Sequence, residues 1–294
     1  MKTLSTKQNF LGIEKKFSSF ENSKVVILPI PYEKTVSYGS GTKFGPKNII
    51  EASHFVEFYD EEMEKEIYKE IGIATVSEIN FKNKNEKESL TLIYETAKKI
   101  IQQKKFLLSI GGEHTISQSL IKAHFEKYPK LSVLQIDAHS DLRQEYQGNK
   151  FSHASVMARV CEFLSPQKLV QVGIRAQSIE EAKMIREKKI NTFYAHQISS
   201  SKNWIENILK KLSDEVYLTF DVDGLDPSIM PSTGTPEPNG LLWNDTMLLL
   251  KEIGKKKKII GADVVEFSPN KFLHYPNETA AKLVYKILNY SFIN

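Results

Sequence analysis

The chain has 294 residues, of which 40% are hydrophobic and 26% charged, and its formal net charge of +4 is small beside 40 basic and 36 acidic groups. This composition is typical of a soluble globular protein, and it offers neither a basic stripe with interleaved aromatic residues for a nucleic acid nor an apolar stretch long enough to span a membrane. The single cysteine, Cys161, excludes an internal disulfide, and with a polar N-terminus that lacks a signal-peptide core it predicts a cytoplasmic protein.

Apolar segments that predict strands alternate along the chain with segments of helical pattern. The strand candidates are Val25–Ile30, Phe106–Ile110, Leu131–Ile136, Leu169–Ile174, Thr192–Ala195, Val216–Phe220 and Ile259–Val265. The helix candidates are Lys87–Gln103, Thr115–Lys127, Ser178–Lys188, Lys202–Leu212, Asn244–Gly254 and Asn277–Tyr290. Most strand candidates are continuously apolar, which indicates a sheet covered on both faces. We therefore predict an α/β fold, a single three-layer α/β/α domain over residues 1–294 with a mainly parallel sheet.

Glycines and clustered polar residues mark the connections between these elements. The segment from Ser37 to Gly45 contains three glycines and is predicted to be a loop. Histidines and acids follow three of the predicted strands, as His114 after Gly111-Gly112-Glu113, as Asp137-Ala138-His139-Ser140-Asp141, and as Asp221-Val222-Asp223. Ligands of such folds bind beyond the carboxyl ends of the strands. The three segments are therefore expected to meet in one crevice.

The residue types in these segments favour a metal site. Asp137, His139 and Asp141 alternate along an extended backbone and can point to the same side, and Asp221 and Asp223 repeat this spacing. Carboxylates gathered in a small volume repel one another unless cations lie between them. Four aspartates and two histidines form an oxygen-rich donor set that suits Mn²⁺, and six ligands suit two ions that activate water for hydrolysis. Taken singly, each segment could instead be a solvated turn or a helix cap.

These segments, together with Thr233-Gly234-Thr235-Pro236-Glu237-Pro238, resemble the signatures of the ureohydrolase family, which includes arginases and agmatinases. The resemblance extends from about Pro29-Ile30-Pro31-Tyr32 to Val265-Glu266 and the final helix, and so covers nearly the whole chain. It implies an arginase-like fold and a binuclear manganese hydrolase that cleaves a small guanidino compound to an amine and urea. The family commonly forms trimers or hexamers, so the resemblance also implies a homo-oligomer.

The resemblance assigns roles to the metal ligands. His114 and Asp141 would hold one manganese ion, His139 and Asp223 would hold the second, and Asp137 and Asp221 would bridge both ions. Two Mn²⁺ ions per subunit are therefore expected.

Three further residues receive roles from the same resemblance. His153, in Phe151-Ser152-His153-Ala154-Ser155, matches the proton-shuttling histidine of the family, and Glu266 matches the carboxylate that grips the substrate guanidinium. Thr235 is expected to help orient that group. From the residues alone, His153 could equally be a loop histidine in a hydrogen-bond network, and Glu266 could be a buried acid paired with a local base.

The segments that distinguish substrates look more like agmatinases than arginases. Ser152–Arg159 and Thr235–Pro238 look like agmatinase segments, whereas the 148–155 and Gly173–Glu181 regions do not reproduce the loops with which arginases grip the amino-acid head of arginine. We therefore expect agmatine to be converted to putrescine and urea, a step of polyamine biosynthesis.

Alternative functions stay open at this point. Asn239 replaces a glycine that is common in the family near the pocket rim, and this departure bears on substrate preference. The alternative substrates are arginine, guanidinobutyrate and formiminoglutamate. A catalytically silent metal-binding paralogue is the alternative to an enzyme.

Overall fold

The computed structural model describes residues 1–198 and 200–293, and within them eight parallel strands form one sheet. The strands are β1 (Val25–Ile30), β2 (Ile73–Thr75), β3 (Phe106–Gly111), β4 (Ser132–Ile136), β5 (Leu169–Ile174), β6 (Asn191–Tyr194), β7 (Glu215–Asp221) and β8 (Lys258–Val265). Their order across the sheet is β2-β1-β3-β8-β7-β4-β5-β6, and each pairing is parallel. The predicted fold class is confirmed.

Helices cover both faces of this sheet. They are α1 (Lys15–Ser18), α2 (Gly45–Ser53), α3 (Tyr68–Ile71), α4 (Glu86–Gln102), α5 (Ser117–Lys127), α6 (Val156–Val160), α7 (Ile179–Lys188), α8 (Ala195–Ile198), α9 (Trp204–Lys211), α10 (Trp243–Lys256) and α11 (Tyr275–Ser291). One hydrophobic cluster joins the sheet to α2, α3, α9, α10 and α11, and a second joins its other face to α4, α5, α6 and α7. The result is a three-layer α/β/α arrangement.

Burial on both faces explains why the strands read as continuous apolar runs. In β1, Val25 and Ile27 belong to the first cluster, whereas Val26 and Leu28 belong to the second. Successive side chains of a strand point to opposite faces, so a strand with a helix layer on each side needs apolar residues at every position. The same alternation between clusters recurs in β3, where Leu108 lies on the first face and Leu107 on the second.

The predicted strands and helices match the observed ones to within two residues at each end, but several short elements lie outside the prediction, among them β2 and the helices α1, α2, α3 and α8. The three-residue strand β2 was not predicted, because a run this short carries no periodicity. The loop predicted from Ser37 to Gly45 is wrong at its end, where a 3₁₀ turn over Thr42–Phe44 leads into α2. Helix α2 has Pro46 in its first turn, where the missing N–H of proline costs no hydrogen bond.

Cys161 follows α6 and packs, partly buried, against the second hydrophobic cluster. Burial raises the pKa of its thiol to about 12, so Cys161 fills space and is a poor nucleophile. Among the helices in the described ranges, none is both long enough and apolar enough to cross a membrane.

The sheet order places four strand ends side by side. Strands β3, β8, β7 and β4 are neighbours, and their carboxyl ends lead directly into His114, Glu266, Asp221 and Asp137. Parallel strands present these ends at the same edge of the sheet. The central strands therefore carry the predicted site residues to a common crevice.

The C-terminal helix α11 carries a lysine that lies in a buried cluster of ion pairs, and this cluster yields a testable prediction. Lys286 of α11 is 1% exposed, and its Nζ lies 3.0 Å from Asp60 Oδ2 and 3.1 Å from Glu62 Oε1. Replacing Lys286 with Met leaves the buried Asp60 carboxylate without its cation, so we expect a loss of about 3–5 kcal/mol in the free energy of unfolding, measured with urea. Lys282→Met, one turn earlier on α11, is the control and should change stability by less than about 0.5 kcal/mol. Equal effects of the two variants would contradict the prediction.

Candidate active site

One cavity of about 240 Å³ at the carboxyl edge of the sheet brings the predicted site residues together. Eight of the nine predicted residues line it, namely His114, His139, Asp141, His153, Asp221, Asp223, Thr235 and Glu266. The ninth, Asp137, is fully buried and contacts two of them, His114 and His139. The crevice expected from the sequence is therefore present.

The first cluster of candidate ligands surrounds the His114 ring. Its Nδ1 atom lies 3.0 Å from Asp141 Oδ2, 3.1 Å from Asp137 Oδ2 and 3.5 Å from Asp221 Oδ2. All four side chains are buried. Despite these short distances, His114 Nδ1 forms no hydrogen bond.

A chain of buried hydroxyl groups sets the protonation of the His114 ring. His114 Nε2 lies 2.9 Å from Thr219 Oγ1, which donates its hydrogen to Asp263 Oδ1 at 2.7 Å. Ser117 and Tyr217 also donate to Asp263, so this carboxylate acts as the acceptor. Thr219 must then accept a hydrogen from Nε2, which leaves the lone pair of a neutral ring on Nδ1. A lone pair that faces three carboxylate oxygens is stabilised by a cation between them. Burial alone would lower the pKa of His114, but Asp137 and Asp141 raise it well above its ordinary value, so this position favours a proton or a metal ion.

The second cluster surrounds His139. Its Nδ1 atom lies 2.9 Å from Asp223 Oδ2 and 3.7 Å from Asp137 Oδ1. Asp137 thus faces both histidines, one with each carboxylate oxygen. Asp221 approaches His114 with Oδ2, while its Oδ1 accepts the backbone N–H of Asp223 at 2.9 Å. Among the residues that the structure describes, two groups of side chains could hold a metal ion, namely His114 with Asp137 and Asp141, and Asp137 with His139 and Asp223.

The electrostatics of both clusters favour bound cations. Burial, followed by repulsion from Asp141 and Asp223, raises the pKa of Asp137 to about 7, and burial with the same kind of repulsion raises the pKa of Asp221 well above its ordinary value. Burial alone would lower the pKa of His139, but Asp223 raises it to about 10. The crevice therefore holds more negative charge than its own side chains neutralise, and it would take up protons or metal ions.

The acceptors of this crevice are held in place by the backbone and by amide side chains. Asp137 accepts the backbone N–H of His139 at 2.6 Å and Gln135 Nε2 at 2.8 Å, and Gln135 in turn accepts Gln171 Nε2 at 2.7 Å. Asp141 has a φ of +54°, a left-handed conformation that non-glycine residues adopt at a cost. The site is therefore preorganised, and part of its geometry is strained.

Glu266 lies on the cavity wall, and its backbone and its side chain both form hydrogen bonds to the segment that follows β3. Its Oε1 accepts the backbone N–H of His114 at 2.6 Å, and its own backbone N–H donates to the carbonyl oxygen of Gly112 at 2.9 Å. Burial, followed by repulsion from Glu113, raises the pKa of Glu266 well above its ordinary range. Within residues 1–198 and 200–293, no lysine or arginine forms an ion pair with Glu266, so a cationic ligand in the cavity would supply its partner.

His153 and Thr235 lie on separate loops around the same cavity. The Nδ1 atom of His153 lies 3.2 Å from Thr35 Oγ1, and the ring packs edge-on against Tyr146 with centroids 6.1 Å apart. His153 is therefore both a cavity-lining histidine and a member of a hydrogen-bond network. Thr235 lies in the Thr233–Pro238 segment, where Thr233 pairs with Phe267 beside Glu266.

Arg175 is a structural residue of the site that sequence reasoning missed. Its guanidinium donates to five backbone carbonyls: Asp223 at 2.6 Å, Glu237 at 2.8 Å, Pro238 at 2.9 Å, Gly173 at 3.1 Å and Leu225 at 3.3 Å. It thereby ties the turn after β7 to the loop that carries Thr235. A single arginine directly after a predicted buried strand was the available signal, because a charge at a strand end needs a local partner.

The fold and the acidic crevice define a hydrolase of the arginase and agmatinase type, and comparisons with known proteins agree. The agmatine ureohydrolase of Thermoplasma volcanium superimposes with a TM-score of 0.86 over 100% of this chain and 95% of its own, at 27% identity. Bacillus subtilis arginase superimposes with a TM-score of 0.78 over 90% of this chain and 98% of its own, at 25% identity.

The sequence comparisons identify the family. The family model for arginases matches residues 23–289, so this chain belongs to the arginase family of enzymes. The chain is 36% identical to the N(1)-aminopropylagmatine ureohydrolase of a Synechocystis strain, over 98% of this chain and 95% of the relative. It is 35% identical to the agmatinase of Bacillus cereus, over 87% of each chain.

The backbone contacts of Arg175 yield a prediction. Arg175→Ala removes hydrogen bonds to carbonyls in both loops, so we expect a loss of about 2–4 kcal/mol in unfolding free energy and faster amide exchange across residues 223–240. Urea unfolding and hydrogen-exchange mass spectrometry measure the two effects. Arg186→Ala, at an exposed position on α7, is the matched control and should change neither. Unchanged exchange in the Arg175 variant would show that the two loops hold together without the guanidinium.

Proposed function

We propose that this chain, acting as one catalytic domain, is a manganese-dependent ureohydrolase that cleaves agmatine to putrescine and urea. One observation carries the proposal. His114 Nδ1 faces three aspartate side chains within 3.5 Å in the same cavity that presents the buried, unpaired carboxylate of Glu266. The first arrangement fits divalent cations, and the second fits a guanidinium.

The donor atoms support two metal positions. We assign His114 and Asp141 to one Mn²⁺ ion, His139 and Asp223 to the other, and Asp137 and Asp221 to both. Asp137 supports a bridging role because it faces both histidines. When bound, a pair of divalent ions would supply Lewis acidity and would activate water for hydrolysis.

The residues around the metal positions would bind the substrate and transfer a proton. Glu266 would bind the planar guanidinium through charge-assisted hydrogen bonds and hold its central carbon over the metal ligands, and Thr235 would help orient the group. His153 would give a proton to the departing amine, because without that proton the amine would have to leave as an amide anion, which is a very poor leaving group. An imidazole ring can both donate and accept a proton, so it can complete this transfer in each turnover.

The charges on the cavity wall favour a substrate that ends in an amine over one that ends in a carboxylate. Arg143 lines the cavity, but its Nε lies 3.7 Å from Glu181 Oε2 and its guanidinium lies over the Tyr146 ring at 5.2 Å. Its charge is therefore partly engaged by the protein itself. Glu237 lies on the same wall and adds a negative charge that an ammonium group would complement.

A second candidate substrate is N(1)-aminopropylagmatine. Three of the relatives are N(1)-aminopropylagmatine ureohydrolases, and the chain is 38% identical to that of a Thermus thermophilus strain over 92% of its length. This compound presents the same guanidinium to Glu266 and carries an additional amine toward the acidic wall. Agmatine and N(1)-aminopropylagmatine therefore share the guanidinium group that would be cleaved and differ in the length of the amine-bearing tail.

Steady-state kinetics on purified protein with manganese titrated in tests the proposal. We expect the release of amine product from agmatine or N(1)-aminopropylagmatine to exceed that from arginine, guanidinobutyrate and formiminoglutamate by about 100-fold in kcat/KM. This factor corresponds to about 2.7 kcal/mol of differential binding between an ammonium and a carboxylate tail. A preference for arginine would contradict the assignment of the substrate, and turnover that is independent of metal would contradict the assignment of the centre.

Substitution of His153 tests the assigned proton donor. His153→Ala should lower kcat by about 10²–10⁴-fold with KM and manganese content unchanged, because the residue acts on the leaving amine and not on the ions. Rate measurements paired with metal analysis check both points. His274→Ala, at an exposed position before α11, should behave as the unaltered protein. Undiminished urea production by the His153 variant with manganese retained would rule the role out.

A further inference from the structure

The buried side chain of Glu113 links the loop after β1 to the cavity wall. It is fully buried, and its Oε1 accepts the backbone N–H groups of Lys34 and Thr35, the latter at 2.6 Å. Its Oε2 accepts the hydroxyl of Thr35 at 2.6 Å. Burial raises the pKa of the Glu113 carboxyl, but the Thr35 hydroxyl and the backbone N–H groups of Thr35 and Lys34 oppose that shift, because all three donate to it and both of its oxygens act as acceptors.

The hydroxyl of Thr35 then has only lone pairs left for its other neighbours. A hydroxyl group has one hydrogen and two acceptor positions, and Glu113 takes the hydrogen. The backbone N–H of His153 donates to Thr35 Oγ1 at 3.1 Å and fills one acceptor position. The remaining neighbour of the hydroxyl is His153 Nδ1 at 3.2 Å, which can only interact favourably with it by donating a hydrogen. Ser152 Oγ also lies near His153 Nδ1, at the longer distance of 3.5 Å, and can accept the same hydrogen.

We infer that Thr35, oriented by Glu113, is a positioning residue that keeps the hydrogen of neutral His153 on Nδ1 and leaves the lone pair on Nε2 for groups in the cavity. The inference builds on the role proposed for His153. Nδ1 carries a hydrogen in the neutral ring and in the imidazolium, so the bond to Thr35 persists in both states. The proton that His153 exchanges is confined to Nε2, and the ring keeps one orientation through the cycle.

The loss of this bond predicts a specific kinetic pattern. Without the Thr35 hydroxyl, the neutral ring can carry its hydrogen on either nitrogen and can rotate, so a smaller fraction is ready for proton transfer. The substrate guanidinium contacts Glu266 in our assignment and not Thr35, so its affinity should not change. Thr35→Val should therefore lower kcat by about tenfold, the effect of one lost hydrogen bond, with KM and metal content within about twofold. Thr35→Ser keeps the hydroxyl and should restore kcat.

The ring nitrogens of His153 provide a direct readout that is independent of activity. The full-length chain is loaded with diamagnetic Cd²⁺, and ¹⁵N shifts of His153 are assigned from the signal that His153→Ala removes. At a pH where the ring is neutral, we expect a protonated-type shift at Nδ1 and an unprotonated-type shift at Nε2. Thr35→Val should move the Nδ1 shift toward the unprotonated value.

A matched variant separates this effect from a general disturbance of the loop. Thr42 is fully buried in the same loop and donates to Glu33 Oε2 at 3.2 Å, without a contact to His153. Thr42→Val should leave the His153 shifts and kcat unchanged, and circular dichroism confirms that each variant is folded.

A neutral ring with its hydrogen on Nε2 would overturn the inference, and so would ring shifts that Thr35→Val leaves unchanged. If the proposed function is wrong but the inference about Thr35 is correct, the experiments give a different result. In that case His153→Ala has no effect on turnover, while the shifts still report the hydrogen on Nδ1 and its dependence on Thr35.

Discussion

The concentration of buried carboxylates at the carboxyl edge of the sheet is the constraint on which the rest of the site depends. Asp137 and Asp221 lie in a volume from which water is largely excluded, and burial with mutual repulsion raises the pKa of both. The nearby cation Arg175 donates to backbone carbonyls and not to these carboxylates. The histidines of the crevice can offset part of this charge by taking up protons, as the raised pKa of His139 indicates, and cations from outside the chain would replace those protons, which is why the crevice is suited to metal ions and to a cationic substrate.

A rigid scaffold is needed to hold like charges this close together. Strands β3, β8, β7 and β4 lie at the centre of the sheet and are packed between two helix layers, so their carboxyl ends move little relative to one another. Buried polar residues within the strands form hydrogen bonds to residues of the site. Thr219 and Asp263 set the protonation of His114, and Gln135 holds Asp137. The geometry of the candidate site at the strand ends thus depends on a polar network inside an otherwise apolar sheet.

The parts of this protein that could be predicted from sequence are those encoded by local patterns. Continuous apolar runs located the seven longer strands, and the period of two in Asp137-Ala138-His139-Ser140-Asp141 indicated convergent side chains. The residues that were missed act through contacts between distant parts of the chain. Thr35 meets His153 across 118 positions, and Arg175 meets Glu237 across 62. Positive φ at Asp141 and Glu266 was also hidden, because neither residue type marks that conformation as glycine does.

Gly112, the residue before Glu113, allows the loop after β1 to lie close to the site. A Cβ atom on Gly112 would lie 1.9 Å from the carbonyl oxygen of Tyr32, so only glycine allows the two backbones to approach this closely. The approach is fixed by the Glu113 N–H, which donates to the same carbonyl at 2.9 Å. The carboxylate of Glu113 can then reach Thr35. Gly112 therefore supports the part of the cavity wall that carries His153, the proton donor that we propose. His114, two residues later, belongs to the first cluster of candidate metal ligands, so one short segment after β3 connects the two parts of the site.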